Sequence, residues 1–179
     1  MTPGGDDLSR LEAGQARLAT AVVVERLRAG RPTSLRIRGR SMYPFLTVGQ
    51  YVLLQPCTAR SLHRGDLVAF ARGGRIILHR VLSVSPTSGQ VTEKGDNVRQ
   101  ATVIEENQVL GWATAIQSRR RVLLTRSRYV LTSRWLARLS AVHASLHRWA
   151  GQHRLSGKPL AAGFTLLFRL AVFLFRPTP

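Results

Sequence analysis

Along the chain the spacing of apolar positions changes twice. From Leu8 to about Ala29, Leu11, Leu18, Val22 and Leu27 recur at roughly helical spacing among Glu12, Arg17, Glu25, Arg26 and Arg28. That pattern predicts an amphipathic helix, closed by Gly30-Arg-Pro32. From Ser34 to Ile116 the apolar runs shorten: Leu35-Arg-Ile37-Arg, Tyr51 to Leu54, Leu67 to Phe70, Arg75 to Leu78, Val81 to Val84 and Val109 to Trp112. Turn residues separate them, among them Gly65-Asp66, Gly73-Gly74, Pro86 to Gly89 and Gly95-Asp96-Asn97. The expectation is a mainly β fold, a compact and strongly bent antiparallel domain, with Gly73-Gly74 as a two-residue hairpin loop.

Beyond Ser118 the helical spacing returns. Trp135, Leu136, Leu139, Val142, Leu146 and Trp149 recur as one apolar stripe, with Arg134, Arg138, His143, His147 and Arg148 in other positions. A basic amphipathic helix carrying tryptophans suits a membrane surface. The last apolar stretch, Leu160 to Phe175, is short for a bilayer span and is interrupted by Arg169, a charge costing about 2.5–3.5 kcal/mol near a span's centre. An interfacial or re-entrant helix is the preferred reading, ahead of packing on the protein or a true span. Three regions follow: a tail and helix over 1–33, a β-domain over 34–117, and a basic helical segment over 118–179.

Charge sharpens the picture of the third region. The chain carries 27 Lys+Arg against 9 Asp+Glu, a net charge of +18, and from Ser118 to Pro179 it has no acidic residue. A one-signed segment predicts an acidic surface as partner, either anionic lipid headgroups or nucleic acid, and an anionic membrane surface or a membrane-bound partner is the preferred reading, although an arginine-rich genome would also raise the count. Cys57 is the only cysteine, so no intramolecular disulfide can form. The first residues carry neither a basic n-region nor an apolar h-region, so the expected location is cytoplasmic, peripheral at the inner face of the membrane.

Candidate chemistry lies in the β-region. Ser41 follows Gly39-Arg40 at a strand end and precedes Met42-Tyr43-Pro44, a setting that can expose a hydroxyl beside backbone N–H groups. His79 continues an apolar run, and Asp96 sits in a Gly-Asp-Asn turn. Hydroxyl, imidazole and carboxylate are the parts of nucleophilic acyl transfer. Each also has a structural reading: a turn serine, a core histidine, and an aspartate bonded to its own backbone. His143 and His147 are four residues apart, but Ala144 stands where a metalloprotease has its glutamate. Solvent-facing histidines are therefore expected there, with no metal and no cofactor.

In order along the chain come Gly39-Arg-Ser41-Met42-Tyr43-Pro44, Arg64-Gly65-Asp66-Leu67-Val68, His79-Arg80-Val81, Glu93-Lys94-Gly95-Asp96-Asn97 and Val109-Leu110-Gly111. This series resembles the signal peptidase I family, most of all the archaeal and endoplasmic-reticulum branch in which histidine replaces a catalytic lysine. The resemblance covers Ser34 to Ile116. It implies a β-rich serine endopeptidase that cuts a leader or targeting segment after small residues, with Ser41 as nucleophile, His79 as general base and Asp96 assisting. The Ser41 N–H would be one oxyanion donor. The branch has a further aspartate five or six residues after the Gly-Asp-Asn turn, where this chain has Ala101 and Thr102. Asp96 could serve alone, or Glu105 or Glu106 could reach in. Family enzymes also carry a spanning helix just before the serine, which residues 1–33 do not resemble. The alternative is a non-catalytic relative that binds a peptide or membrane-bound partner. Nucleic acid is not the expected partner, because the repressors that share this fold type place a helix-turn-helix domain in front of it.

Overall fold

The structure is a computed structural model, and it describes residues 5–117, 121–125, 127–152 and 158–174. Helix α1 (Gly5–Arg28) leads into eight strands: β1 (Thr33–Arg36), β2 (Tyr51–Pro56), β3 (Leu67–Arg72), β4 (Arg75–Val84), β5 (Val91–Lys94), β6 (Thr102–Ile104), β7 (Val109–Gln117) and β8 (Arg121–Leu123). Helices α2 (Ser127–Gln152) and α3 (Lys158–Leu174) follow. The strands form one sheet in the order β1-β2-β7-β3-β4-β5-β6, with β8 against β7, and the pairings are antiparallel. The mainly β fold with flanking helices is thus the observed architecture.

Local chemistry accounts for the central hairpin. Gly73 and Gly74 have φ of 56° and 70°, the left-handed values a two-residue turn between Arg72 and Arg75 demands. The two apolar runs on either side of His79-Arg80 form one long strand, β4, rather than two. Strands β5 and β6 are short and polar in part, Val91-Thr-Glu-Lys and Thr-Val-Ile, so no alternation marked them. The sheet also reaches past residue 117 into β8, at the start of the segment read as basic and helical.

Alternation along β4 separates two cores. Val68, Phe70 and Val81 lie in one apolar cluster with Val91 and Ile104, on the face that carries His79. Leu67, Ala69 and Leu78 lie on the other, where Met42, Phe45, Leu46, Leu136, Phe168 and Val172 close over the sheet. Arg80 faces this second core.

The two C-terminal helices depart from the expected pattern. On α2 the buried residues are Leu136, Ala137, Ser140, His143 and Ala144, whereas Trp135 (63 % exposed), Val142, Leu146 and Trp149 point outward. The predicted stripe is therefore split: Leu136 packs inward while both tryptophans remain exposed. Of the two histidines, His147 stays half-exposed and only His143 departs from the solvent-facing expectation. His143 is buried, and the Nε2 atoms of His143 and His147 lie 3.0 and 3.2 Å from Thr165 Oγ1 on α3 and 3.1 Å from each other. The reason is local, since His143 also stacks on Phe168 at 5.3 Å and the α2–α3 contact encloses it. Helix α3 packs Phe168 and Val172 inward and exposes Leu166, Leu167, Leu170, Phe173 and Leu174. Among the described residues no helix is long and apolar enough to cross a membrane.

Candidate active site

Ser41 opens a tight loop between β1 and β2, with Tyr43 N–H donating to Arg40 O at 3.1 Å and Leu46 N–H to Met42 O at 2.9 Å. Met42, Phe45 and Leu46 are buried and anchor this loop in the larger core, leaving Ser41 half-buried at its rim. The peptide bond between Tyr43 and Pro44 is cis. The Gly-Asp-Asn turn after β5 meets the loop directly: Asn97 N–H donates to Ser41 O at 2.7 Å, and Asn97 Nδ2 donates to Arg40 O at 3.2 Å.

Gly95 is the point where serine loop and histidine converge. A Cβ placed there would lie 2.7 Å from Ser41 O and 2.9 Å from His79 Nε2, closer than non-bonded atoms allow. Glycine is required by this approach rather than by its backbone dihedral. The Ser41 carbonyl and the His79 ring edge therefore share one small volume, with the Ser41 N–H making no backbone hydrogen bond among the described residues. Among those residues no hydrogen bond joins Ser41 Oγ to His79.

Register selects the carboxylate behind the histidine. Val81 pairs with Glu93 and Arg80 with Lys94 across β4 and β5, so Glu93 falls on the His79 face, diagonal to the ring. His79 Nδ1 lies 2.5 Å from Glu93 Oε2, and Glu93 is 1 % exposed. An ionised carboxylate can only accept, so Nδ1 carries the proton and Nε2, toward Gly95, is left as the acceptor. Thr102 Oγ donates to the other Glu93 oxygen, and Arg72 Nη1 stands 3.9 Å from it. Phe70 meets the imidazole edge-on at 5.9 Å.

Asp96 is placed elsewhere. Arg80 Nε and Nη2 donate to its two oxygens at 2.9 and 2.7 Å, a bidentate and fully buried pair. Arg80 also donates to Gly65 O and Ser133 Oγ and lies over the Phe45 ring at 4.6 Å. The pair clamps the Gly-Asp-Asn turn to β4, and among the described residues no hydrogen bond joins Asp96 to the imidazole. Glu105 and Glu106 do not reach in: Glu105 accepts from Gln90 Nε2 at 3.0 Å, and Glu106 faces Arg60.

Glu93 is the residue that sequence reasoning missed. One signal was present: two positions after Val91 in a short strand, it shares the inward side with an apolar residue.

A buried cation completes the site's inner side. Lys94 is fully enclosed, donates to Gly95 O at 3.2 Å and lies 4.9 Å above the Phe168 ring. Burial pulls its ammonium down to a pKa of about 8, with Asp96 opposing and Arg80 adding to the shift. Burial likewise raises the Cys57 thiol to about 11, which makes it a poor nucleophile near neutrality. No protein-family model matches the chain, and no curated protein matches it.

Proposed function

We propose that the chain is a signal peptidase-like serine endopeptidase that cleaves a leader or targeting segment. The observation that carries this reading is the His79–Glu93 contact of 2.5 Å, which aims Nε2 at the loop that begins with Ser41. In this mechanism Ser41 Oγ attacks the scissile carbonyl carbon and passes its proton to His79 Nε2, while the carbonyl electrons move onto oxygen. The oxyanion is held by the Ser41 N–H. Collapse breaks the C–N bond, His79 returns the proton to the leaving amine, and a water activated by the same imidazole hydrolyses the ester. Glu93 holds the ring and its tautomer; Asp96, through Arg80, positions the turn that carries Gly95.

The membrane is the proposed setting. Trp135, Val142, Leu146 and Trp149 on α2 and Leu167 and Leu174 on α3, exposed in a segment with no acidic residue, fit an anionic bilayer surface adjoining the cytoplasm. A competing reading, a peptide-binding relative that does not cut, draws on the lack of a Ser41–His79 hydrogen bond among the described residues, although such contacts are often loose before substrate binds. Labelling with a fluorophosphonate separates the two. Modification at Ser41, lost in Ser41→Ala, is expected; an intact Ser41 at every pH from about 6 to 9 would leave only the binding reading.

A further inference from the structure

Two clefts among the described residues differ in their walls. The larger, about 260 Å³, is lined by Gly65, Asp66, Trp112 and Ser133 among others and includes neither Ser41 nor His79. The smaller, about 230 Å³, is formed by Tyr43 and Pro44 from the serine loop and by Leu166, Arg169, Leu170 and Phe173 from α3. We propose that this second cleft is a substrate subsite of the Ser41 centre, taking a large apolar side chain of an extended peptide. The proposal rests on the peptidase reading and adds to it a substrate class: a segment with a Leu- or Phe-sized residue one or two positions from the cut.

Three observations lead to that occupant. The first is continuity with the candidate site, because Tyr43 and Pro44 follow Ser41 by two and three residues. A chain rises about 3.3 Å per residue when extended, so a peptide bonded at Ser41 passes the cleft within one or two residues on one side of the scissile bond. The second is the lining, in which every residue except Arg169 offers apolar or aromatic surface. The third is rigidity. Arg169 Nη2 donates to Asn97 Oδ1 at 2.7 Å, and Asn97 N–H donates to Ser41 O at 2.7 Å, so one asparagine ties the α3 wall to the serine loop. The cleft wall and the nucleophile therefore keep one geometry. The residue at the cut itself can still be small, since this cleft is displaced from it.

The test compares two fluorophosphonates of equal length on the full-length protein, one with a decyl chain and one with an ethylene glycol chain. In each reaction Ser41 Oγ bonds to phosphorus, fluoride leaves and the proton passes to His79. The decyl probe is expected to label Ser41 about ten-fold faster, about 1.4 kcal/mol of differential transition-state binding. Leu170→Glu changes a residue that is 53 % exposed, and Leu166→Glu one that is 71 % exposed, so the fold should tolerate both. Each should cut the decyl rate to that of the glycol probe and leave the glycol rate unchanged. Equal wild-type rates, or a decyl preference that survives both variants, overturn the subsite while leaving Ser41 a nucleophile. Labelling by neither probe overturns the peptidase reading together with the subsite. Loss of the preference when phosphatidylglycerol vesicles are added would assign the cleft to a lipid chain. A Leu170→Glu variant that sediments as a smaller species than wild type would assign it to a second copy.

Discussion

Which carboxylate serves His79 can be decided by treating Glu93 and Asp96 in parallel. Glu93→Gln keeps the side-chain shape and removes the charge 2.5 Å from Nδ1. The amide can then hold the ring with its N–H toward Nδ1, which stabilises the wrong tautomer and leaves Nε2 protonated. Removing the charge that stabilises the imidazolium adds to the loss. In a Ser-His-Asp protease triad, neutralising the carboxylate in the same way costs about 10⁴ in kcat, and a loss of at least ~10² in Ser41 labelling rate, about 2.7 kcal/mol, is expected here. Asp96→Asn acts on another quantity. It leaves Arg80, fully buried, with its bidentate partner neutralised, and breaking such a pair costs about 3–5 kcal/mol. With a urea m-value of about 2 kcal/mol/M, the unfolding midpoint should drop by roughly 1.5–2.5 M. Labelling per folded molecule should change by less than about three-fold, provided the assay runs well below the new midpoint. Full labelling in Glu93→Gln with a collapse of labelling in folded Asp96→Asn would refute the assignment of Glu93 to His79.

Two buried titratable groups make the stability depend on pH in different parts of the scale. Folded Lys94 titrates at about 8 against an ordinary 10.5, so between these values the unfolded chain binds a proton that the folded chain has released, and stability rises with pH. Lys94→Met should abolish that rise and raise stability at pH 7 by about 3 kcal/mol, read from urea unfolding; a pH profile unchanged from wild type would contradict the enclosed charge. Burial, reinforced by Lys94, His147, Arg99 and Arg169, lowers His143 to about 4 from 6.5. The unfolded chain again holds the extra proton between those values, so stability is lost as pH falls from 6.5 to 4, and His143→Asn should flatten this limb. Cys57, with its thiol raised to about 11, should react with iodoacetamide at pH 7.5 far more slowly than a free thiol, and a rate equal to that of a model thiol would be the contrary result.

Features governed by neighbouring residues could be read directly from the amino-acid order. The helix before Gly30, the strand run of the middle region and the Gly73-Gly74 turn follow from period and from backbone dihedrals that only glycine adopts cheaply. The nearness of the Ser41 loop to His79 followed from ordered motifs rather than from any local rule. Pairings between distant segments could not be read this way. His79 and Arg80 occupy adjacent positions, and so do Glu93 and Lys94; a strand sends such neighbours to opposite faces. Only the β4–β5 register decides that Glu93 rather than Asp96 shares a face with His79, because a one-residue slip would reverse each assignment. The same limit applies to α2, where helical spacing grouped Leu136 with both tryptophans and left the histidines facing solvent. Helix α3 instead offers Thr165 and Phe168 to His143, and burial follows the partner available across the contact rather than the hydrophobicity of the residue alone.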